Sequence, residues 1–536
     1  MRHSRVPAPS VPRDRPPARH RHDPRRSTER WDAPPRHGSD EPPAPDERPV
    51  RLRYELIDAL RGFAVLGIFW RNVFVFGMPF FAYAVPGLID ADTVPDKIAM
   101  VFVAAFTEGT MRALLSILFG ASVLLILAAP TQDGDDPLEP VDRHFRRLLW
   151  LAAFGLAHAY LLLWPHDILF LYGVLGLALF PFRRLKTRPL MVIGLALLLG
   201  STVIEGTGWR AVGSAVGKIE AIEEDWGPDL PMPDEGLKEI LRDAAPEGSF
   251  LEGRLDGTPS DPLGWIVSTA RAQDQPVEGT STDDGGPDGA SAGETDGDGE
   301  PLSLEEFEML AEAMTAIETE TEARLAGYAS NFRSLASETF EQQTTELFSH
   351  HILDIGAMLF IGMALLKAGI LTGAASVRLY RNLALWGLVG GAVLGVLAHD
   401  ALIGIEPLMP LSIAIGDYLF DARRLALAFG VIGLFGWLAA SGRAGGLLRL
   451  LAVPGRMALS LYVMQTVIGI TIFYGFGAGL FGTLPHAQLL AFAFTVTAFQ
   501  LWLAHVWSCR FGRGPLERLL GWLVGPSRPT PVTSAR

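Results

Sequence analysis

The stretch Leu56-Ile-Asp-Ala-Leu-Arg-Gly-Phe-Ala-Val-Leu-Gly-Ile-Phe-Trp-Arg-Asn72 combines an apolar run with the polar residues Asp58, Arg61, Arg71 and Asn72. A charge at the centre of a bilayer costs about 2.5–3.5 kcal/mol, so such residues lie near helix ends or face a polar interior. Arg61 and Asn72 are eleven residues apart, close to three helical turns, and share one face. Asp58 is spaced to pair with Arg61. The stretch predicts a transmembrane helix with a polar face towards the bundle interior. An ion pair at the inner interface and an interfacial Arg-Asn pair at the outer one would also fit.

The rest of the chain repeats this apolar character. It has 536 residues, 49% of them hydrophobic, and a mean hydropathy of +0.25. The apolar residues come in runs of about 17–25, the length that crosses roughly 30 Å of hydrocarbon. We therefore predict an all-α fold, a polytopic transmembrane helix bundle of about ten spans. The spans are predicted near 57–77, 102–128, 147–163, 167–182, 189–206, 350–371, 381–399, 423–440, 456–479 and 487–507.

The segments outside the spans are polar and differ in charge. The net charge of −14 combines a basic N-terminal tail, too poor in aliphatic residues to fold, with an acidic central insert. Ser303 and Glu306 form a capping box, and a long amphipathic helix is predicted from Leu304 to about Phe348. The predicted segments are a disordered basic cytoplasmic tail (1–53), an N-terminal membrane domain of five spans (54–206), an extracytoplasmic insert, disordered around 273–301 (207–349), a C-terminal membrane domain of five spans (350–508) and a cytoplasmic tail (509–536).

The distribution of Lys and Arg predicts the orientation. In a ten-span fold the basic short loops and the basic tail fall on one side, which the positive-inside rule assigns to the cytoplasm. Both termini are then cytoplasmic, and we expect the protein in the bacterial plasma membrane. Arg423 and Arg424 are the exception on the outer side, with Asp421 as a candidate partner. The lone cysteine, Cys509, excludes an intramolecular disulfide framework and a Cys-based zinc site.

A histidine inside an apolar span is the main catalytic candidate. His158 lies in the third predicted span, and His166 and Asp167 lie at the outer turn that follows. Histidine titrates near neutral pH and suits general-base work, and a carboxylate can orient an imidazole as in a catalytic triad. One hypothesis is catalysis by His158 or His166, with Asp167 or His166 orienting the base. The other is that His158 only forms a hydrogen bond between packed helices.

Other polar residues within the spans predict pairs. Arg112 is spaced to pair with Glu108 on one face of the second span. Gln465 is predicted to be buried and therefore needs a partner, for which Ser460 and Tyr462 are candidates within or between helices.

The start of the sixth span carries His350, His351 and Asp354. Their spacing permits a metal or proton site, but without a further ligand cluster an interfacial cap is the favoured interpretation, and no metal is predicted. The chain has no phosphate-binding loop, zinc-type Cys/His spacing or nucleophile elbow. Enzymes that depend on these motifs are therefore not indicated. Nothing beyond the basic tail indicates nucleic-acid binding.

The spans carry several motifs in a fixed order. They are Leu56–Asn72, Leu114–Gly120, Arg146-Arg147 with Gly155–Leu169, Pro454–Gln465 continuing through Phe473–Phe481, and Phe511–Glu517. Together they resemble the YeiB-like membrane proteins, whose C-terminal part is the domain of unknown function 418. The resemblance covers all the predicted spans but not the tail or the disordered insert. After Glu517 this chain has Arg518 where the family usually has an aromatic residue.

More distantly, the first span resembles that of the transmembrane acyltransferases, which include bacterial polysaccharide O-acetyltransferases and heparan-glucosaminide N-acetyltransferase. The resemblance implies transfer of an acyl group from cytoplasmic acyl-CoA to an envelope glycan or lipid. The O-acetyltransferases have a histidine eleven residues after the first-span arginine, where this chain has Asn72. That candidate base is therefore absent here.

We expect an acyltransferase-like membrane protein with acyl-CoA as co-substrate and no bound cofactor. One alternative is a transporter or flippase of a small envelope metabolite, in which the same intramembrane Asp, Arg and His residues line a path. Another is a non-catalytic membrane scaffold. The substrate-binding candidates are Asp58, Arg61, Asn72, Arg112, Arg456 and Gln465.

Overall fold

The computed structural model describes residues 48–80, 83, 93–127, 138–204, 304–398, 409–442 and 444–525, and every regular element in these ranges is a helix. The N-terminal half contains α1 (Arg48–Gly67), α2 (Phe69–Gly77), α3 (Val94–Phe102), α4 (Thr110–Leu127), α5 (Glu139–Leu161), α6 (Ile168–Leu179) and α7 (Thr187–Ile204). The C-terminal half contains α8 (Leu304–Leu325), α9 (Tyr328–Gln343), α10 (Ile352–Lys367), α11 (Val377–Ala398), α12 (Met409–Ser441), α13 (Gly445–Gly455), α14 (Ala458–Phe473), α15 (His486–Phe511) and α16 (Pro515–Val524). The predicted all-α class is confirmed.

Within the described ranges, seven helical stretches are long and apolar enough to cross a membrane, or eight if the bent pair α13–α14 counts as one span. The remaining two predicted spans correspond to α5, whose first turns are charged, and α6, which has 12 residues. A multi-pass membrane protein is therefore confirmed, and each predicted span has its helix. The seven stretches are 55–77, 94–127, 187–204, 328–367, 377–397, 418–441 and 486–511.

The first helix, α1, lies at the centre of the membrane bundle, against α2, α4 and α12–α15. A Cβ at Gly62 would overlap the carbonyl oxygen of Leu451, and a Cβ at Gly455 would overlap that of Asp58. Small residues let membrane helices approach to backbone contact. The two glycines therefore bring α1 and α13 together with no side chain between their backbones.

Several spans are interrupted inside the bundle. The π-helical turn Val103–Thr107 leads from α3 to Glu108, which is extended, and to Gly109, whose φ is +72°. The helices α13 and α14 meet at an angle of 69° next to Arg456. A π turn within a helix often marks a functional site. Here the two interruptions place Glu108 and Arg456 where the backbone changes direction.

The helix predicted from Leu304 to about Phe348 is two helices, so that prediction is wrong. Gly327 is extended and separates α8 from α9, and the π-helical turn Leu347–His351 leads into α10. The predicted tail also ends earlier than expected, since α1 begins at Arg48. Residues 1–47, Ser303 and the predicted disordered run 273–301 lie outside the described residues.

The helices α8 and α9 are tied to three backbone segments of the bundle. The N–H of Gly475, after α14, donates to the carbonyl of Arg324 (3.0 Å). The N–H of Phe80, after α2, donates to the carboxylate of Glu320 (2.9 Å). The hydroxyl of Tyr328 donates to the last carbonyl of α5 (2.9 Å). The pair α8–α9 therefore holds the ends of α2, α5 and α14 in fixed positions.

Candidate functional site

A buried line of three polar side chains joins α5, the start of α6 and α14. Nδ1 of His158 lies 2.7 Å from Oδ1 of Asp167, and Nε2 of His158 lies 2.8 Å from Oγ1 of Thr466. All three residues are buried. A carboxylate only accepts hydrogen bonds, so in the neutral imidazole Nδ1 carries the hydrogen and Nε2 accepts the one that Thr466 donates. The sequence-predicted pair of His158 and Asp167 thus lies together, with Thr466 as its third member.

The position of Asp167 follows from its role as the N-cap of α6. Its Oδ2 accepts a hydrogen bond from the N–H of Phe170 (2.7 Å), while Oδ1 faces His158. Asp is among the preferred N-cap residues because its carboxylate satisfies an otherwise unpaired helix N–H. A Cβ at Gly155 would overlap the nitrogen of Phe170 and crowd Asp167. A glycine at this position therefore allows α5 to approach the capped end of α6.

An aromatic ring packs directly on His158, and two more aromatic residues continue from it. The ring of Tyr462 lies edge-on to it, with centroids 5.0 Å apart. The indole N–H of Trp164 donates to the Tyr462 hydroxyl (3.1 Å), and Trp164 stacks on Phe76 at 4.2 Å. The buried imidazole therefore packs on Tyr462, while its two nitrogens face Asp167 and Thr466.

His166 does not contact His158 in this arrangement. Its Nε2 lies 3.5 Å from the carboxylate of Glu338 on α9, and its ring is edge-on to Trp164. Of the two residues expected to orient His158, Asp167 occupies the required position.

A second group of polar residues, here called the Asp58 cluster, comprises Asp58, Arg61, Ser122, Arg147, Arg456, Ser460 and Glu517. Arg61 lies 3.1 Å from Asp58 and donates to the hydroxyl of Ser122 (3.2 Å). The predicted pairing of Asp58 with Arg61 is therefore present in the structure. Arg456 lies within electrostatic range of Asp58, and Arg147 within range of Arg61 and Glu517.

The carboxylate of Glu517 ties α16 to the start of α14 within the Asp58 cluster. It accepts hydrogen bonds from the N–H and the hydroxyl of Ser460 (3.1 and 2.5 Å), and the Ser460 hydroxyl in turn accepts one from the N–H of Leu516 (3.0 Å). The hydroxyl of Ser460 is therefore held by α16 in the first turn of α14.

A third group, the Asp354 cluster, comprises Arg112, Thr202, Asp354, Asp421 and Arg424. Arg112 lies 2.9 Å from Asp354, and Arg424 is in contact with both Asp354 and Asp421. The hydroxyl of Thr202 donates to Asp421 (2.7 Å). Asp354, Asp421 and Arg424 are buried, so α4, α7, α10 and α12 meet around paired charges.

The Asp354 cluster corrects two predictions. Arg112 pairs with Asp354 and not with Glu108, whose carboxylate lies 3.6 Å from Arg71 instead. Arg424 has its predicted partner Asp421. Arg423 and Arg424 are buried inside the bundle, so they are not basic residues of an outer connection.

The side chains of His350, His351 and Asp354 could hold a metal by distance, because their candidate ligand atoms lie within 4.8 Å of one another. Their surroundings do not fit a cation. Asp354 is engaged by two guanidinium groups, and Nε2 of His351 lies 3.0 Å from the side-chain oxygen of Gln342. The Asp354 carboxylate that a cation would need is therefore already shared by Arg112 and Arg424.

Gln465 has a different partner from the two predicted. Its side-chain nitrogen donates to the Val65 carbonyl (2.8 Å) and to the side-chain oxygen of Gln500 (3.0 Å). Gln500 donates in turn to the Leu461 carbonyl (3.0 Å). This network joins α1, α14 and α15.

Asn72 is partly buried, and its backbone N–H donates to the Ile68 carbonyl (3.2 Å) across the junction of α1 and α2.

The Asp58 and Asp354 clusters lie at two levels of the same helix. Ser122 and Arg112 are both on α4, ten residues apart, which is roughly 15 Å along a helix. Most residues between them are buried and apolar. The bundle therefore has two levels of paired charges, separated on α4 by mostly apolar residues.

Sequence reasoning missed Thr466, although the sequence contains a signal for it. Thr466 lies four residues after Tyr462 in a largely apolar helix, so both lie on one face. That face packs on His158. The pairing with a histidine 308 residues earlier in the chain has no local signature.

Comparison with known proteins shows which family this chain is similar to. Residues 365–525 match the family described as protein of unknown function (DUF418). The chain is 25% identical over 470 residues to YeiB of Escherichia coli (strain K12), an alignment that covers 86% of this chain and 94% of YeiB. The resemblance to the YeiB-like, DUF418 proteins is confirmed.

Two shorter similarities involve Bacillus proteins. YxaH of Bacillus subtilis (strain 168) is 30% identical over 151 residues, 27% of this chain and 37% of YxaH. A 39.9 kDa protein in the amylase 3' region of Bacillus acidopullulyticus is 31% identical over 153 residues, 28% of this chain and 40% of the relative. No solved structure matches significantly. The DUF418 match includes Arg424, Thr466 and Glu517 but not His158 or Asp167, so the candidate site joins the DUF418 part to the half before it.

Proposed function

We propose that this YeiB-like protein is a membrane acyltransferase that moves an acyl group from cytoplasmic acyl-CoA to an envelope glycan or lipid. The observation that carries the proposal is the 2.7 Å contact between Asp167 and Nδ1 of His158. A carboxylate in this position holds the imidazole in one tautomer and leaves Nε2 as a proton acceptor. A neutral, positioned histidine is the group that general-base catalysis requires.

The chemistry needs a proton acceptor near a hydroxyl and a thioester. Nε2 of His158 takes the proton of the attacking hydroxyl, whose oxygen forms a bond to the thioester carbonyl carbon. The carbon–sulfur bond then breaks, and the CoA sulfur takes the proton from the imidazolium. Asp167 stabilises the imidazolium during the step.

The charge of the Asp58 cluster supports binding of CoA on that side of the bundle. Its three arginines, Arg61, Arg147 and Arg456, exceed its two carboxylates, Asp58 and Glu517. Guanidinium groups bind phosphate oxygens with charge-assisted hydrogen bonds. The segregation of Lys and Arg supports a cytoplasmic position for this cluster and for both termini, in the plasma membrane of a bacterium.

The test uses the full chain in nanodiscs with labelled acetyl-CoA and extracted envelope lipid and glycan. We expect CoA release and labelled acceptor from the wild type. The His158→Gln variant should bind acetyl-CoA but release no CoA, because Gln forms hydrogen bonds but cannot act as a base. The matched control is His505→Gln on α15, where the ring contacts a backbone carbonyl, and it should keep wild-type turnover. Folded wild-type protein that neither binds nor consumes acyl-CoA would overturn the proposal.

A second candidate function, transport or flipping of a small envelope metabolite, is favoured by the Asp354 cluster. Ionisable residues inside membrane spans commonly mark substrate or proton paths, and Asp354 links α4, α10 and α12 through two arginines. In proteoliposomes this function predicts pH-driven efflux of envelope extract components that Asp354→Asn abolishes, with no acyl-CoA consumption by the wild type.

A further inference from the structure

The hydroxyl of Thr466 has an unusual orientation for a helical threonine. Several Ser and Thr hydroxyls on the described helices donate to the carbonyl four residues earlier, as Thr471 on the same helix does to Val467 (2.6 Å). The hydroxyl of Thr466 instead lies 2.8 Å from Nε2 of His158. An O–H directed at a neutral imidazole that a carboxylate orients is the arrangement of an activated nucleophile.

Resting on the proposed acyltransferase function, we infer that Thr466 is a covalent acyl carrier, whose Oγ1 accepts the acyl group from acyl-CoA and passes it to the acceptor. The juxtaposition of Thr466, His158 and Asp167 carries the inference. It adds a catalytic residue within the part of the chain that matches DUF418. The base, His158, and the orienting carboxylate, Asp167, precede that part.

The transfer takes two balanced steps. In the first, Nε2 of His158 removes the Thr466 hydroxyl proton, Oγ1 bonds to the thioester carbonyl carbon, and the carbon–sulfur bond breaks. The CoA sulfur leaves with the proton from the imidazolium, and an acyl ester remains on Thr466. In the second, His158 removes a proton from the acceptor hydroxyl, whose oxygen bonds to the ester carbon. The bond to Oγ1 breaks, and the imidazolium returns its proton to Thr466.

The position of Thr466 suits a carrier between two sides of the membrane. It follows Ser460 of the Asp58 cluster by six residues on α14, a rise of roughly 9 Å. On its other side it contacts the hairpin between α5 and α6 through His158. A covalent carrier here would let CoA leave towards the arginines before the acceptor reacts from the opposite direction.

The experiment looks for the acyl ester directly. The full chain carrying Cys509→Ser is used, because an exposed thiol can take an acyl group from acyl-CoA without catalysis. The protein in nanodiscs is mixed with radiolabelled acetyl-CoA in the absence of acceptor, quenched in acid, digested and mapped by mass spectrometry. We expect a stoichiometric acetyl ester on the α14 peptide and an equal burst of free CoA.

Variants at and near Thr466 distinguish an acyl carrier from a residue that only packs. Thr466→Val and His158→Gln should reduce the label to under a tenth of the wild-type amount. Thr466→Ser should retain a label at position 466, since it keeps the hydroxyl. Thr471→Val is the matched control, because it removes a threonine hydroxyl from the same helix, and it should label as the wild type does.

Two results would overturn the inference and are distinct from failure of the proposed function. One is CoA turnover and acceptor labelling with no acetyl ester on the protein, together with near-normal turnover in Thr466→Val. The other is an acetyl ester that maps elsewhere in the chain. In both cases acyl transfer stands and the carrier role is lost. Folded wild type that does not consume acetyl-CoA overturns both. The wild-type peptide map decides the question even if Thr466→Val does not fold.

Discussion

Arg112 on α4 lies 2.9 Å from Asp354 on α10, and this ion pair joins two helices that are far apart in the sequence. Asp354 is buried and also contacts Arg424. The pair therefore fixes α4 against α10 inside the bundle. Its removal is expected to lower the stability of the folded protein.

Removing Asp354 takes away the carboxylate that Arg112 and Arg424 share, whereas removing Arg112 leaves Asp354 paired with Arg424. Asp354→Ala should cost about 3–5 kcal/mol of folding free energy. Arg112→Ala should cost less, because Arg424 still pairs with Asp354, and the double variant should cost less than the sum of the two. The measurement is the fraction of monodisperse protein in detergent after heating. Asp142→Ala, which breaks an exposed pair with Arg146, is the control and should cost less than about 1 kcal/mol. Strictly additive losses in the double variant would contradict a coupled pair.

Gly155 is expected to be essential for the packing of α5 on α6. A Cβ at this position overlaps the backbone nitrogen of Phe170, which cannot move without breaking the Asp167 cap. We expect Gly155→Ala to destabilise the protein by about 1–3 kcal/mol or more. At Gly390, in the α11 interior, a Cβ meets no atom within 4 Å. Gly390→Ala should be neutral or stabilising by up to about 1 kcal/mol. Equal thermal stability of the two variants would argue against the close approach.

The carboxylate charge of Asp167 can be separated from its capping role. Asn is as good an N-cap as Asp, so Asp167→Asn should fold normally. Without the carboxylate the His158 tautomer is no longer fixed, and acyl transfer should fall by at least about 100-fold. The control, His166→Gln, changes the neighbour that contacts Glu338 and should keep activity within a few-fold of the wild type. The rates come from single-turnover CoA release.

The arginines of the Asp58 cluster should affect acyl-CoA binding more than the chemical step. Arg147→Gln and Arg456→Gln are each expected to raise the KM for acetyl-CoA about 10-fold, the equivalent of one charge-assisted hydrogen bond, with little change in kcat. Arg146→Gln is the neighbouring control, since Arg146 pairs with Asp142. Unchanged KM values in both variants would contradict binding of CoA at the Asp58 cluster.

The orientation predicted from Lys and Arg can be tested by accessibility. In a Cys509→Ser background, a cysteine at Ser291 should react with an impermeant reagent from outside the cell, and one at Ser376 only after permeabilisation. Ser376 lies in the turn before α11, while Ser291 lies outside the described residues. Reaction of both positions from outside would contradict the ten-span topology.

Hydropathy was sufficient to predict most of the membrane helices, because seven of the described stretches are apolar runs of membrane length. The pair of His158 and Asp167 was also predictable, since nine residues around a hairpin keep them close. Glu108 and Arg112 failed the spacing rule for a physical reason. The helix is interrupted at Glu108 and Gly109, and α4 begins at Thr110, so the two side chains do not share one helix.

The contacts that complete the site lie between distant parts of the chain. Thr466 reaches His158, and Asp354 reaches Arg112 and Arg424, across helices whose order in space is set by packing. A single sequence contains the polar residues but not their distances. It also gave no sign of the break at Gly327, because one glycine in an amphipathic run is compatible with a continuous helix.

The ties of α8 and α9 to the ends of α2, α5 and α14 bear on how the two halves of the chain are connected. These helices form the last part of the insert (207–349), and two of their three ties are to backbone that precedes it. Covalent continuity through the insert contributes only a loop-closure entropy that varies slowly with length. A chain cut within residues 273–301 should therefore reassemble from two separately expressed pieces, with α8 and α9 acting as the recognition element between them.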